Sequence, residues 1–479
     1  MKIYKFILLS FFSGLLLSCD KQLSEPPANA RVNGTAITDQ KSAEVVLNGV
    51  YLRFANVSSI VGSPNTTQWT NNNVSGGLLS GALIYGFYQG ADEINDNANS
   101  RHVPALWGYC YKLINEANGL IEGVNILADS KFSENKKNEI IAQARFLRAY
   151  GNFKLLMFFG EWFKEDSQYG VLLREELSTL SGIPKKRSTV KESYAAILED
   201  LDFAIEHAPA ENPNYYATKW CAMLLKMRVL MNKGIPTDYA TVVTLADDII
   251  QHSGYALEGN LKDLFLSKGL ASKEVMLSVK PQANQEISFV ILSRAYYPGA
   301  SDSYMCSQFF RDLLVADPRG AWMVGPKNEE SDANPGSYYF TKFIPFGAEP
   351  SQLTESIYAM RLSEVYLLKA EALIRGDIDK EKARQTIKLV MSNAGVTNFK
   401  SVDDATSTAD LLLQNYLEVV RNLTGEDAIE WYTLLRLPID MVKQLKPTIT
   451  SNRQFYFPIP ATELDNNPLF GPQNPGYGL

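Results

Sequence analysis

At 479 residues the chain is long enough for two or three average domains or one large one, so burying a core is not its limiting problem. Lys and Arg number 46 against 53 Asp and Glu, a net charge of −7. The one basic cluster, Lys185-Lys186-Arg187, is short and opens a helix, so the nucleic-acid-binding class, which advertises a basic face, is excluded.

The chain begins with a positive end, Lys2 and Lys5, then an apolar run from Phe6 to Leu17, then Leu16-Leu17-Ser18-Cys19. The run is shorter than the roughly 20 apolar residues that span a bilayer, so residues 1–18 read as an export signal. Its end resembles the lipobox of bacterial lipoproteins, with Ser18 where glycine or alanine is commoner. That resemblance implies cleavage before Cys19 and acylation of its thiol; the alternative is an ordinary secretory signal with a chance cysteine. Two lysines leave with the signal, so the mature chain carries 44 basic and 53 acidic side chains, a net charge of −9. Cys110, Cys221 and Cys306 then remain, an odd set that defines no disulfide framework and reads as buried small hydrophobes. No later stretch approaches 18 apolar residues.

Residues 19–37, with Pro26-Pro27 at their middle, have the composition of an extended tether. From Thr38 to Phe54, apolar Ala43, Val46, Leu47 and Val50 recur at helical spacing. Residues 57–102 break into Gly, Asn and Ser with isolated aromatics. Helical blocks follow: Val103–Leu127 with Ser133–Phe159, Thr189–His207 with Tyr215–Lys233, and Asp238–His252. In the second of these, Ile140, Ala144, Leu147, Gly151, Leu155 and Phe158 form a stripe in which Gly151 permits close helix approach. Thr189 and Glu192 stand at capping-box spacing.

Residues 254–350 are irregular, with short β-favouring runs at Val275–Val279 and Phe289–Leu292 and a helical patch at Ser307–Leu314. Twelve aromatics fall between Gln285 and Phe346, well above their density in the whole chain. Helical blocks resume at Thr354–Arg375 with Ile378–Asn393, and at Ala409–Leu423 with Ala428–Leu435. Residues 448–479 hold five prolines and no helical pattern, which reads as an irregular strap. Helix pairs joined by short turns are the unit of tetratricopeptide-type repeats.

Five ordered segments then carry a resemblance. They are Gln143-Ala-Arg-Phe-Leu-Arg-Ala-Tyr150 running to Phe159-Gly160-Glu161; Arg187-Ser-Thr-Val190 with Ile197-Leu-Glu-Asp-Leu201 and Ala204; Met360-Arg-Leu-Ser-Glu-Val-Tyr-Leu-Leu-Lys-Ala-Glu-Ala372; Gly425-Glu426 with Trp431 and Leu435-Arg436; and Pro458-Ile459-Pro460, Glu463, Asn467-Pro468 and Gln473-Asn474-Pro475-Gly476-Tyr477. Together they resemble the SusD/RagB-like outer-membrane lipoproteins of Bacteroidetes-type bacteria. Gln143 stands where that family usually has glutamate, and Thr433 near where it often has aspartate.

The resemblance implies a mostly α fold, a right-handed superhelix of tetratricopeptide-like helix pairs with a loop-rich, partly β second lobe. Residues 38–479 would form a single domain: a helical scaffold mainly over 103–253 and 354–440, an irregular aromatic-rich lobe over 57–102 and 254–350, and a strap over 448–479. It also implies a lipid-anchored outer-membrane lid that captures an oligosaccharide, or a peptide, for a SusC-like TonB-dependent β-barrel transporter. A helical-repeat adaptor without a small ligand, and a surface glycan-degrading enzyme, are the other classes.

Catalysis has little in its favour. The three histidines, His102, His207 and His252, form no H-E-x-x-H pair, and no G-x-S-x-G elbow or phosphate-binding loop occurs. No catalytic residue, cofactor or metal centre is expected, and His207 and His252 suit helix C-termini. Arg145, Arg148, Arg361, Glu364 and Glu371 have spacings suited to ion pairs within the scaffold. Trp107, Tyr111 and Asn118 lie in a helical segment and read as packing.

Ligand contacts are better sought among aromatics on irregular segments, where a sugar's apolar C–H face or a peptide side chain can stack. The candidates are Trp69, Tyr85 and Tyr88 in the first such stretch. In the second they are Tyr296, Tyr297, Tyr304, Trp322, Tyr338 and Tyr339, core packing being the competing role for each.

Overall fold

The computed structural model describes residues 36–55, 76–85, 102–178, 184–279, 296, 298, 303–329, 336–348 and 357–478. Cys19, Trp69, Tyr88, Tyr297 and the Phe289–Leu292 run lie outside them. The architecture is mostly helical. Helix α1 (Gln40–Ala55) and the short α2 (Gly76–Ser80) precede α3 (His102–Asn125), α4 (Lys136–Phe159), α5 (Val190–His207), α6 (Lys219–Lys233) and α7 (Asp238–His252). From α3 to α7 each helix packs on the next, across connections that range from residues 234–237 to the much longer 160–189.

Helix α4 lies at the centre of this array, touching α1, α3, α5 and α6. The apolar stripe predicted for it is buried, but so are Phe146, Tyr150, Phe153, Met157 and Phe159 on its other sides. A helix buried on several sides is one enclosed by neighbours. Gly151 is where α3 comes closest: a Cβ there would stand 2.9 Å from Ile114 Cγ1 and 3.4 Å from the Cys110 carbonyl oxygen. Thr189 and Glu192 form the capping box that starts α5. Arg148 then ties α4 to α5 with a two-pronged pair on Asp200, 2.7 and 2.6 Å, geometry that suits a guanidinium fork. Gln143 accepts a hydrogen bond from the Tyr51 hydroxyl of α1 at 3.0 Å, so an amide serves at this buried position.

After α7 the side-by-side packing passes directly to α9 (Leu362–Arg375), which lies against α7 in space. Residues 253–361 are therefore inserted between two neighbouring helices. Strands β2 (Val275–Val279) and β6 (Ile357–Arg361) pair antiparallel and close the base of the insertion. The sequence had placed residues 354–361 in the following helix. Every residue of β6 is buried, and an apolar run buried on both faces has no period to separate strand from helix. Helix α9 then packs on α10 (Lys380–Asn393) and α11 (Thr408–Leu423), and α11 on α12 (Ile429–Leu435).

The tail is not wholly irregular, since after α13 (Ile439–Leu445) it forms the short α14 (Ala461–Asn466) directly behind Pro460. Asn474 pins it to the end of α4 by donating to the carbonyls of Phe159 and Phe457, at 2.9 and 2.7 Å. Cys110, Cys221 and Cys306 are buried free thiols; burial raises all three, Cys110 and Cys306 to about 12, which keeps them unreactive. Among the described residues no helix is long and apolar enough to cross a membrane.

Candidate functional site

The insertion carries a four-stranded sheet of order β1-β3-β5-β4, built from β1 (Leu83–Tyr85), β3 (Tyr304–Cys306), β4 (Val324–Lys327) and β5 (Tyr338–Phe340). Helix α8 (Gln308–Leu314) follows β3. Strand β1 comes from the first irregular stretch and the other three from the second. Segments more than 200 residues apart are thereby joined by backbone hydrogen bonds, with Tyr85 directly opposite Tyr304 and Tyr338 opposite Cys306. Directly opposed residues share a face, so Tyr85, Tyr304 and Tyr338 point the same way and Tyr339 the other.

The tyrosines divide by burial. Tyr304 is 2% exposed, its ring 5.0 Å from Tyr296 and 6.5 Å from Tyr85. Tyr296 is buried too; its hydroxyl donates to the Gly425 carbonyl at 3.1 Å and its ring lies 4.7 Å from Phe343. These two candidates fill the space between sheet and scaffold and present no open ring face. Tyr339 is also buried, stacked 5.2 Å from Phe346, a residue that is itself 52% exposed.

Tyr85, Trp322 and Tyr338 are half-buried. Arg311 of α8 lies 4.5 Å over the Tyr338 ring, which both orients the ring and leaves a cation beside it. Trp322, just before β4, packs 6.0 Å from Phe265. Phe346 was missed because it sits in the apolar run Phe343-Ile-Pro-Phe346, where nothing in the sequence separates an exposed ring from a core one.

Behind the sheet, charges lock its last strand to the scaffold. Lys342, fully buried, donates to the carbonyls of Asn422 and Thr424 and to Glu426 at 2.5 Å. Burial pushes its ammonium down to about 8 despite the Glu426 carboxylate. Arg361, at the end of β6, shares Glu426, 2.6 Å from its Nε, and also pairs with Glu274. Neither partner is near Lys342 or Arg361 in sequence, so no motif announced the cluster. Arg361, Glu364 and Glu371 do form scaffold ion pairs: Glu364 with Arg228 at 2.6 Å, and Glu371 with Arg375 and Arg436 at 2.7 and 2.5 Å. The surface formed is thus a set of aromatic rings on a braced sheet, a chemistry of stacking and hydrogen bonding. Among the described residues no group of His, Cys, Asp and Glu could hold a metal ion.

Family models match two long stretches. One, described as "Starch-binding associating with outer membrane", covers residues 52–230, and the other, the SusD family model, covers 319–436. The chain belongs to the SusD/RagB-like family. Among SusD-like relatives, "SusD-like protein P2" of Formosa agariphila is 24% identical over 422 residues, 78% of this chain and 81% of that protein. A SusD superfamily crystal structure from Bacteroides thetaiotaomicron superposes with a TM-score of 0.75 at 23% identity, covering 91% of this chain and all of that one. Surface glycan-binding protein A from Bacteroides fluxus, at 17% identity, does so with a TM-score of 0.71 over 91% of this chain and 99% of its own. At such identities the SusD-like structures share this fold.

Proposed function

We propose that the protein is a surface lipoprotein that binds an oligosaccharide on the aromatic sheet and delivers it to a TonB-dependent outer-membrane transporter, without chemical change to the ligand. The observation that carries the reading is the junction of β1 with β3, which brings both aromatic-rich irregular stretches onto one braced platform. Half-buried Tyr85 and Tyr338, on the Tyr304 face of the sheet, and Trp322 supply ring faces for a sugar's C–H surface, and Phe346 at 52% exposure supplies another on the opposite, Tyr339 face. Membership of the SusD/RagB-like family and a fold neighbour named as a surface glycan-binding protein favour glycan over peptide.

Residues 1–18 act as the export signal, acylated Cys19 as the anchor, and residues 19–37 as the tether that lets the body move against its transporter, its end fixed where Ile37 packs into the core. The single body of residues 38–479 divides between scaffold and platform. The mature chain, applied to an array of glycans and peptides, is expected to retain glycans and no peptide; retention of peptides alone would replace the ligand class, and an empty array would favour a ligand-free adaptor. Gentle detergent extraction is expected to bring a β-barrel partner with it, and its absence would remove delivery from the account.

A further inference from the structure

A second concave surface lies on the helical scaffold, between the outer face of α3, the chain around Leu172–Ser178, and α14. Its volume is about 400 Å3, within the roughly 300–1,000 Å3 usual for small-molecule sites. Trp107, Gly108 and Tyr111 lie along its floor. Trp107 packs against Phe159 and Phe470, at 5.0 and 6.0 Å, and against Tyr111 at 4.8 Å, so the aromatic floor is rigid.

The wall is fixed by side chains of α3 that hold its backbone. The Tyr111 hydroxyl donates to the Leu172 carbonyl and accepts from the Leu172 amide, both at 3.1 Å; Asn115 accepts from the Ser178 amide at 2.8 Å. On the far side the Trp107 indole N–H donates to Glu463 at 3.4 Å. These bonds leave the concavity preformed, so a ligand would meet little ordering cost.

Gly108 is the informative residue. Glycine inside a helix is destabilising relative to alanine, and is accepted where something must pass close by. The other glycines of α3 meet that condition: a Cβ at Gly119 would be 3.2 Å from Leu177, and one at Gly123 2.7 Å from Ile37. A Cβ at Gly108 meets no atom within 4 Å. Packing does not require this glycine, and what its missing side chain does is keep the floor of the concavity open.

The charges around it balance, Lys112 and Arg174 against Glu116 and Glu463, with Glu116 also paired to Arg53 at 2.8 Å. That balance favours an uncharged ligand rich in hydroxyls over an anion or a cation. We infer that this concavity is a second saccharide site, taking one neutral sugar unit with an apolar face on Tyr111 and its hydroxyls among the surrounding amide, carboxylate and cationic groups. The choice of ligand class rests on the glycan reading above; the site itself is separate from the aromatic sheet.

Because a Cβ at Gly108 meets no atom within 4 Å, Gly108→Leu places a bulky side chain on the floor of the concavity, and Gly108→Ala is the milder companion that controls for folding. The probes are the uncharged methyl glycosides of glucose, galactose, mannose and xylose at millimolar concentration, followed by saturation-transfer NMR on the mature chain. At least one is expected to give a signal that Gly108→Leu weakens tenfold or more, while Tyr85→Ala/Tyr338→Ala leaves it in place and both variants still melt cooperatively from a folded state. Signals that Gly108→Leu leaves unchanged, or no signal from any glycoside, would overturn the second site. If every signal instead vanished only in the tyrosine variant, the sheet reading would stand and this one would fall; signals dependent on Gly108 alone would do the reverse. A Gly108-dependent signal from short neutral peptides, and from no glycoside, would overturn the saccharide assignment.

Discussion

Glu426 and Asp427 are adjacent in the chain yet enter two different buried ion clusters. Glu426 accepts from Lys342 and Arg361 of the insertion, at 2.5 and 2.6 Å. Asp427 turns the other way, to Arg228 at 2.6 Å and to Lys154 and the Tyr150 hydroxyl at 2.7 Å. The backbone makes this possible by left-handed φ values of 46° at Asp427 and 62° at Ala428, a conformation side chains other than glycine adopt at a cost. One short loop therefore fastens the sheet-bearing insertion to the centre of the helical array. Removing one member of such a cluster strands its cations: Asp427→Ala should lower stability by about 3–5 kcal/mol. Denaturant titration checks this; an unfolding free energy within about 0.5 kcal/mol of wild type would mean the cluster is not needed.

Gly425 opens the same loop with φ +84°, and a Cβ there would stand 3.0 Å from the Phe343 ring and 3.3 Å from that of Tyr296. Gly425→Ala should therefore cost about 1–3 kcal/mol in backbone strain and displaced rings. Because Tyr296 packs on Tyr304, opposite Tyr85, the same change should weaken ligand binding severalfold; a variant with lower stability and unchanged affinity would show that loop and platform are independent.

Glu430 supplies a pH dependence of definite sign. It is fully buried, its Oε1 accepts from the Gly425 amide at 3.0 Å, and its Oε2 has no hydrogen-bond partner. Burial raises its carboxyl from 4.5 to about 7. A folded-state value above the unfolded one contributes stability below about pH 4.5, and that contribution is lost as pH rises through about 7. Relative to wild type, Glu430→Gln should gain up to about 3 kcal/mol between pH 4.5 and pH 8. Glu371 runs oppositely: burial alone would raise it, but Arg436 and Arg375 hold it at about 2, so its contribution is present above 4.5 and disappears as pH falls toward 2. Stability profiles of wild type and Glu430→Gln that stay parallel across this range would contradict the assignment.

Cys19→Ala should abolish membrane retention while leaving the melting profile and glycan affinity of the body unchanged, since Cys19 lies in the tether, ahead of Ile37 where the chain joins the core. Fractionation checks it: a variant still held in the outer-membrane fraction without its transporter would mean that something other than the acylated cysteine anchors the chain.

Much of the scaffold was legible because amphipathic or apolar periodicity survives in single helices; Asp238–His252 and Val275–Val279 have the same bounds in sequence and structure. Strand β6 was not, because complete burial erases the alternation that marks a strand. The binding surface was harder still. Tyr304 and Tyr338 sit in similar irregular surroundings, and only the partners of their strands decide that one ring is enclosed and the other half open. Phe346 was hidden in an apolar run, and the Lys342–Glu426 pair joins groups 84 residues apart. Gly108 carried a signal that could be weighed only once the space above it was known.

The central claim is that the rings on the sheet hold the glycan. Calorimetric titration of the mature chain with the glycan it retains best on the array, repeated with Tyr85→Ala, Tyr338→Ala and Tyr85→Ala/Tyr338→Ala, tests it most directly. Each single change should weaken binding about tenfold, about 1.4 kcal/mol, and the double change more, with the fold intact by melting. Wild-type affinity in the folded double variant would contradict the account.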